Sequence, residues 1–559
     1  MNRIVPLLVC VLITCCPSYG GTQETKPAAA TPKLAAADQL YRSGSFREAA
    51  EQYQAILKDD SSSVPALSGL IRSLLREEKI DDALTVANNS ITLHPDSPAL
   101  LAAMGDVEFR FARMSEAETS YQKALKLDSK QIPAYLGLVR IYRAYSLYGH
   151  AYQNLERAHQ IAPDDPEVQR LWFRQLSRKE RIAAMEAYLA APHPDDAEDS
   201  AALQRYLAFL KATAGQSHAC KLVSKVEKAD TKLELLRRDP QHIFGVGLVV
   251  KLNGHDARLQ LDTGAGGITV GRKVAEKAGL KSIAEERYYG IGDKGAQAGY
   301  TAVADDIRVG DLEFQDCMVH VTNSASITDE NGLIGADVFN SYLIDIDMPD
   351  QKLRLSPLPK RPDESDAPTA LKTEEQSDPS EGENPAEASD TKKPETGADS
   401  QSAQSAKPRW HPPQDRYVAP EMANWTIVFR FGSHLLIPTR INDSHSMLFL
   451  IDTGATANTL SNRAAAQVTK VGGDPFVTVK GLNGDVSKVY RAEKATLIFG
   501  HYAQKNQDVI TFDMSNISRH IGTEVSGMLG FSLLHMVQLK IDYRDGLVDF
   551  VYDAKRWDH

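Results

Sequence analysis

The chain has 559 residues, 42% of them hydrophobic and 25% charged, with a formal net charge of −11 and a sequence pI of about 5.8. This is the composition of folded globular protein, and the length corresponds to about four domains. With an acidic balance and no basic-aromatic stripe, nucleic acid is not an expected partner, and the charge mainly favours solubility.

Residues 1–20 read as an export signal. Arg3 gives a positive start, and Ile4 to Ile13 is apolar but too short to span a bilayer. Ser18-Tyr19-Gly20 predicts cleavage after Gly20 and a periplasmic or extracellular protein. Cys15 and Cys16 leave a second route, lipid attachment, although Thr14 is unusual before a lipidated cysteine. Membrane association is expected only through such an anchor, because no later segment is apolar enough to cross a membrane.

A repeat with a spacing of 34 residues follows. Ala49, Ala83, Ala117 and Ala151 are in register, as are Tyr53, Ala87, Tyr121 and Leu155, and Ile56, Ser90, Ala124 and Ala158. Ser61, Pro95, Ser129 and Pro163 form a fourth column. Small side chains in the first and third columns let paired helices approach closely, and the larger ones in the second mostly fill the gap. On these columns and on Gly44, Phe46 and Ala49, residues 34–170 resemble the tetratricopeptide family, an all-α solenoid of helix pairs. Four pairs suffice for a continuous core. The resemblance implies a docking face for a protein partner or substrate; a solenoid that only spaces its neighbours is the plainer reading. Residues 171–240 stay rich in Ala, Leu, Lys and Glu without the period, and are expected to be a helical cap and connector.

Near Ile243 the pattern changes to short apolar runs with glycine turns, and Asn253-Gly254 marks a hairpin. Residues 241–358 and 421–555 therefore read as two all-β lobes. Between them, residues 359–420 are rich in Pro, Glu, Ser, Asp, Ala and Thr and read as a disordered linker. Beyond the signal only Cys220 and Cys317 remain. Pairing in an oxidising compartment and two separate thiols are both compatible with the sequence.

The two lobes are copies of one another. Asp262-Thr263-Gly264-Ala265 follows Leu259-Gln260-Leu261, and Asp452-Thr453-Gly454-Ala455 follows Leu448-Phe449-Leu450-Ile451. Further on, Gly335, Phe339, Ile346, Asp347 and Leu353 match Gly530, Leu534, Ile541, Asp542 and Val548 at a constant offset of 195. Two aspartates held by tight turns can share one proton, one acting as general base on a water and the other donating to a carbonyl oxygen. Thr263 and Thr453 can bond across such a pair, and Gly264 and Gly454 allow their N–H groups to reach the carboxylates. No metal or other cofactor is called for: the histidines lack metal-ligand spacing, and no Gly-x-Ser-x-Gly elbow occurs.

With Gly332-Leu333-Ile334-Gly335 and Gly527-Met528-Leu529-Gly530, each copy resembles a retropepsin-like aspartic protease domain. The resemblance implies half an active site per lobe, catalytic Asp262 and Asp452, supporting loops Thr263, Gly264, Ala265 and Thr453, Gly454, Ala455, and a closing flap. The flap candidates are Gly290, Gly292 and Gly295 in lobe 1 and Gly481 and Gly484 in lobe 2. The first three formally match a dinucleotide loop but lack the strand before and the helix after that such a loop needs. One departure stands out. After the alanine the family carries a small polar or acidic residue, whereas lobe 1 has Gly266-Gly267, which predicts one supporting hydrogen bond fewer.

A flexible linker of about 60 residues has an r.m.s. span of about 45 Å, enough to pair both lobes within one chain. Pairing of each lobe with its like on another chain is the rival arrangement. The expected protein is an exported multidomain aspartic endopeptidase acting on peptides or proteins, and the alternative is a non-catalytic peptide-binding scaffold that keeps the fold.

Overall fold

The computed structural model describes residues 32–195, 197–212, 220–288, 290–293, 297–322, 332–362, 414–474, 477–481 and 484–556. The signal with Cys10, Cys15 and Cys16, the interior of the linker and Gly295 lie outside the described residues.

The helical part runs α1 (Pro32–Arg42), α2 (Phe46–Asp59), α3 (Val64–Arg76), α4 (Ile80–Leu93), α5 (Pro98–Arg110), α6 (Met114–Leu127), α7 (Ile132–Ala144), α8 (Tyr148–Ile161), α9 (Pro166–Trp172), α10 (Arg178–Ala190) and α11 (Ala197–Ala212). α1 to α8 are the four helix pairs that the repeat predicts. Every residue of the first three repeat columns is buried. Tyr121 lies against Gly105 and Gly137 of the two neighbouring helices, and its hydroxyl donates to Asp106 Oδ1 at 2.7 Å. Helix starts follow local chemistry. Proline opens α5 and α9, and Asp165 caps α9 by accepting from the N–H groups of Glu167 (2.9 Å) and Val168 (3.1 Å).

Lobe 1 comprises β1 (Lys221–Leu222), β2 (Ala229–Lys232), β3 (Glu234–Asp239), β4 (His242–Leu252), β5 (His255–Asp262), β6 (Ile268–Gly271), helix α12 (Arg272–Lys277), β7 (Ser282–Tyr288), β8 (Gln297–Val309), β9 (Leu312–Thr322), β10 (Gly332–Gly335), β11 (Tyr342–Asp347) and β12 (Lys352–Pro357). Lobe 2 repeats the plan with β13 (Thr426–Ile427), β14 (Phe429–Phe431), β15 (His434–Ile441), β16 (Ser446–Ile451), β17 (Thr459–Ser461), α13 (Asn462–Val468), β18 (Val471–Gly473), β19 (Val479–Gly481), β20 (Gly484–Val486), β21 (Tyr490–Phe499), β22 (Tyr502–Phe512), β23 (Gly527–Leu529), β24 (Gln538–Asp542) and β25 (Leu547–Val551).

The lobes are joined by a six-stranded sheet, β13-β25-β24-β11-β12-β2, in which β11 of lobe 1 pairs antiparallel with β24 of lobe 2, Ile344 opposite Ile541 and Ile346 opposite Leu539. One apolar core runs through both lobes beneath it. The pairing is therefore within the chain, through backbone ladders and a shared core.

The solenoid is fastened to this body. The C-terminal end of α5 meets lobe 2 where Thr523 Oγ1 donates to the Phe109 carbonyl (2.6 Å) and Glu524 N to the Arg110 carbonyl (3.0 Å). Tyr145 packs on Phe429 with ring centroids 4.9 Å apart, and Arg463 pairs with Asp81 at 2.5 Å. This explains an unbroken apolar run at Met447–Ile451. Phe449 and Ile451 enter the interlobe core, while Leu448 and Leu450 join the cluster that holds Leu101 and Phe109 of α5. At the far end α11 lies on β7, with Arg205 Nε 3.2 Å from Glu286 Oε1.

Two boundaries differ from the sequence reading. The connector 171–240 is helical only to Ala212; from Lys221 it forms β1, β2 and β3, because Leu222, Leu233 and Leu236 are buried in lobe 1 and β2 extends the interlobe sheet. The linker 359–420 is shorter than its composition indicates. Arg361 is buried and pairs with Asp545 (2.7 Å) and Gln414, and Tyr417 N donates to Asp545 at 2.8 Å. Cys220 and Cys317 form a disulfide that joins the segment after α11 to β9.

Candidate functional site

β5 and β16 each lead into the aspartate of the repeated phrase. Behind each, the Gly-x-x-Gly strand runs parallel: β10 places Gly335 beside Asp262, and β23 places Leu529 beside Ile451, with Asp452 N donating to Leu529 O at 3.0 Å. The central ladder thus carries both carboxylates to the lobe boundary.

There the two loops grip each other. Thr263 N donates to Thr453 Oγ1 and Thr453 N to Thr263 Oγ1, both at 3.0 Å. The hydroxyls donate onward to the carbonyls of Ile451 and Leu261, both at 2.8 Å. Every donor and acceptor in this square is buried and paired, so the separation of the loops is fixed. Gly264 N donates to Asp262 Oδ1 at 2.8 Å; Gly454 N and Ala455 N donate to Asp452 Oδ1, both at 2.9 Å. Each carboxylate also lies over the opposite glycine. A Cβ on Gly264 would come within 2.6 Å of Asp452 Cγ, and one on Gly454 would strike Asp262. Glycine is required at both places by this close approach.

Asp262 and Asp452 are both buried, each against the facing loop of the other lobe. Burial, then the charge of Asp452 and the bond to it, pushes the Asp262 carboxyl well above the ordinary carboxylate range. Burial also raises Asp452, but the hydrogen bond from Asp262 and the N–H groups of Ala455 and Gly454 hold it back. Two carboxyls brought together in a buried site titrate as one unit, and burial favours their sharing a proton.

The loop after Ala265 is held by Asp337, as the corresponding loop of lobe 2 is held by Ser532, whose Oγ accepts from Asn458 N at 3.3 Å. Gly267 N donates to Asp337 Oδ1 at 3.0 Å, and Gly266 leaves room for Ser433 of lobe 2, whose Oγ would lie 2.5 Å from a Cβ at that position. Burial raises Asp337, opposed by that N–H and by Arg430 and His434. His434, at the start of β15, lies outside the repeated phrase, yet its ring stands near the Gly264 carbonyl and faces Asp337 and Asp452, with Nδ1 3.3 Å from the Phe431 carbonyl; burial lowers its pKa. Neither Asp337 nor His434 stood out in the sequence, because the first follows Gly335 like any loop residue and the second is a lone histidine. Gln260 is a third such residue: its Nε2 lies 3.4 Å from the Gly454 carbonyl.

Four of the glycine candidates lie at the ends of two hairpins. Gly290 and Gly292 follow β7 at the tip of the β7–β8 hairpin, and Gly481 and Gly484 bound the β19–β20 turn. The two hairpins touch. Gly481 lies against Ile291, Asp293 N donates to Asp485 O at 3.0 Å, and Ser487 N donates to Asp293 Oδ2 at 2.5 Å. At the base of the first hairpin Glu286 Oε2 accepts from Tyr288 OH (2.8 Å) and Thr301 Oγ1 (2.9 Å) and contacts His320 Nδ1 (2.8 Å). Burial would raise Glu286, but the bond to His320 and its charge, then those hydroxyls, bring it down to about 2. Among the described residues no group of histidine, cysteine and carboxylate side chains is arranged to hold a metal ion.

Residues 248–338 and 437–533 each match the aspartyl protease family model, and residues 34–98 and 68–132 match the tetratricopeptide repeat model. No curated protein matches the chain. Among solved structures, a thermophilic TPR protein of Thermus thermophilus is similar, with 19% identity, a TM-score of 0.26, and coverage of 33% of this chain and 100% of that chain. The chain thus carries two aspartyl protease domains behind an N-terminal run of tetratricopeptide repeats.

Proposed function

We propose that these two aspartyl protease domains form one aspartic endopeptidase site, with Asp262 and Asp452 as its catalytic pair. The observation that carries this reading is the convergence of the two buried carboxylates over a reciprocal threonine grip. In this mechanism ionised Asp452 takes a proton from a water between the carboxyls as the oxygen attacks the scissile carbonyl carbon. Asp262 gives its proton to the carbonyl oxygen. The tetrahedral species then collapses: Asp452 passes its proton to the amide nitrogen, Asp262 takes one back from a hydroxyl of the tetrahedral carbon, and the C–N bond breaks. The glycine-tipped hairpins act as flaps that must part to admit a peptide and close to exclude water.

The helical repeats supply, on this reading, a docking face for a substrate or partner protein, away from the edge that grips lobe 2. Export to an oxidising compartment is part of the same proposal and is supported by the Cys220–Cys317 disulfide. The test is cleavage of an unbiased peptide library from acidic to neutral pH by residues 21–559, beside Asp262→Asn and Asp452→Asn. Loss of cleavage in both variants supports the shared site. A wild type that cuts nothing but binds peptides is a scaffold.

A further inference from the structure

The two copies present different walls to the shared site. On a strand, residues two apart face the same way. The residue two before each aspartate therefore stands beside the pair: Gln260 in lobe 1 and Leu450 in lobe 2. Across the ladder Gln260 is opposite Gly247, whereas Leu450 is opposite Leu436. The Gln260 amide extends over Gly245, where a Cβ would lie 2.7 Å from Nε2, and approaches the Gly454 carbonyl of the facing loop. Gly245 aligns with His434, which occupies the corresponding place beside the Gly264 carbonyl. Leu436, Leu450 and Met528 belong to one buried apolar cluster backed by α5. In lobe 1 the counterpart of Met528 is Leu333, half-buried and in register with Gln260.

We infer, resting on the endopeptidase reading, that the cleft discriminates between the residues on the two sides of the scissile bond, with Gln260 as the specificity-determining residue of a polar lobe 1 wall. One flanking residue meets an amide with both a donor and an acceptor, and the other meets leucine and methionine. Beyond its contact with the Gly454 carbonyl the Gln260 amide has a second N–H and an oxygen to offer, so a substrate side chain that hydrogen-bonds is favoured on the lobe 1 side over an apolar one. Where a polar wall of this kind contacts substrate, discrimination of about tenfold or more in kcat/KM is expected. On the lobe 2 side the preference is for apolar side chains.

The experiment profiles the full chain and Gln260→Leu on peptides randomised on both sides of the scissile bond. The wild type is expected to favour hydrogen-bonding side chains at one flanking position and apolar ones at the other. Gln260→Leu is expected to lose about tenfold of the polar preference while still cutting peptides that are apolar on both sides. A wild type with equivalent apolar preferences on both sides, or a variant with unchanged preference, overturns the inference. If Gln260→Leu cuts nothing, Gln260→Glu decides: a shift toward donor side chains supports the inference, and an unchanged profile overturns it. A wild type that cuts no peptide removes the endopeptidase reading itself.

Discussion

Thr453→Val changes the interlobe grip with almost no change in volume. The hydroxyl of Thr453 accepts from Thr263 N at 3.0 Å and donates to Leu261 O at 2.8 Å, and both threonines are fully buried. Valine orphans the Thr263 N–H, at a cost of about 1–3 kcal/mol, and removes a second bond worth about 1 kcal/mol, for a total of about 2–4 kcal/mol. Thr453→Ser keeps both bonds and loses one buried methyl, about 1 kcal/mol. The grip also sets the separation of the carboxylates, and a shift of about 1 Å is worth about a hundredfold in rate. Urea unfolding and peptide-cleavage kcat on the three proteins read both effects. The valine variant should be the less stable and by far the slower of the two. Valine that costs no more than serine in both assays would refute the reasoning.

Three further outcomes are expected. Because burial and the charge of Asp452 raise Asp262, its carboxyl contributes stability that is complete below the unfolded value and is lost as pH rises through the folded value. Asp262→Asn should therefore melt above wild type at pH 8, with the gain vanishing near pH 3; a variant that melts lower at pH 8 contradicts this. Cutting within residues 363–413 should leave both fragments together and active, since Arg361 and Gln414 already meet and the six-stranded sheet joins the lobes; fragments that separate on gel filtration would count against it. Glu286 is held down to about 2, below its ordinary value, so its contribution to stability persists above that ordinary value and is lost only as pH falls from there toward about 2. Glu286→Gln should speed hydrogen exchange in both 282–309 and 197–212, because it frees the hairpin base from Arg205; unchanged exchange in α11 would show that the two are not coupled.

Much of this was legible in the sequence because the signals were periodic or duplicated. The 34-residue columns gave the helix pairs, since each column needs a buried position at every repeat. The two Asp-Thr-Gly phrases, 190 residues apart, gave the lobes together with the later matches at an offset of 195, since both keep the same strand order. What the sequence hid depends on contacts between distant segments. The turn to strand at Lys221 follows from pairing with β9, and the order at Arg361 and Tyr417 from one buried aspartate, Asp545. Asp337 accepts from the N–H of Gly267, 70 residues away, and His434 and Gln260 acquire meaning only when the other lobe's glycine carbonyl is beside them. The solenoid's grip on lobe 2 was equally invisible, because Leu448 and Leu450 read as ordinary strand core.

The most direct test of a single site built from both halves of one chain is complementation. Purified Asp262→Asn and Asp452→Asn chains are each inactive on this account, and mixing them should restore no cleavage, because each chain pairs its own lobes. Activity that appears on mixing would mean that the lobes pair between chains, and the one-chain site would be wrong.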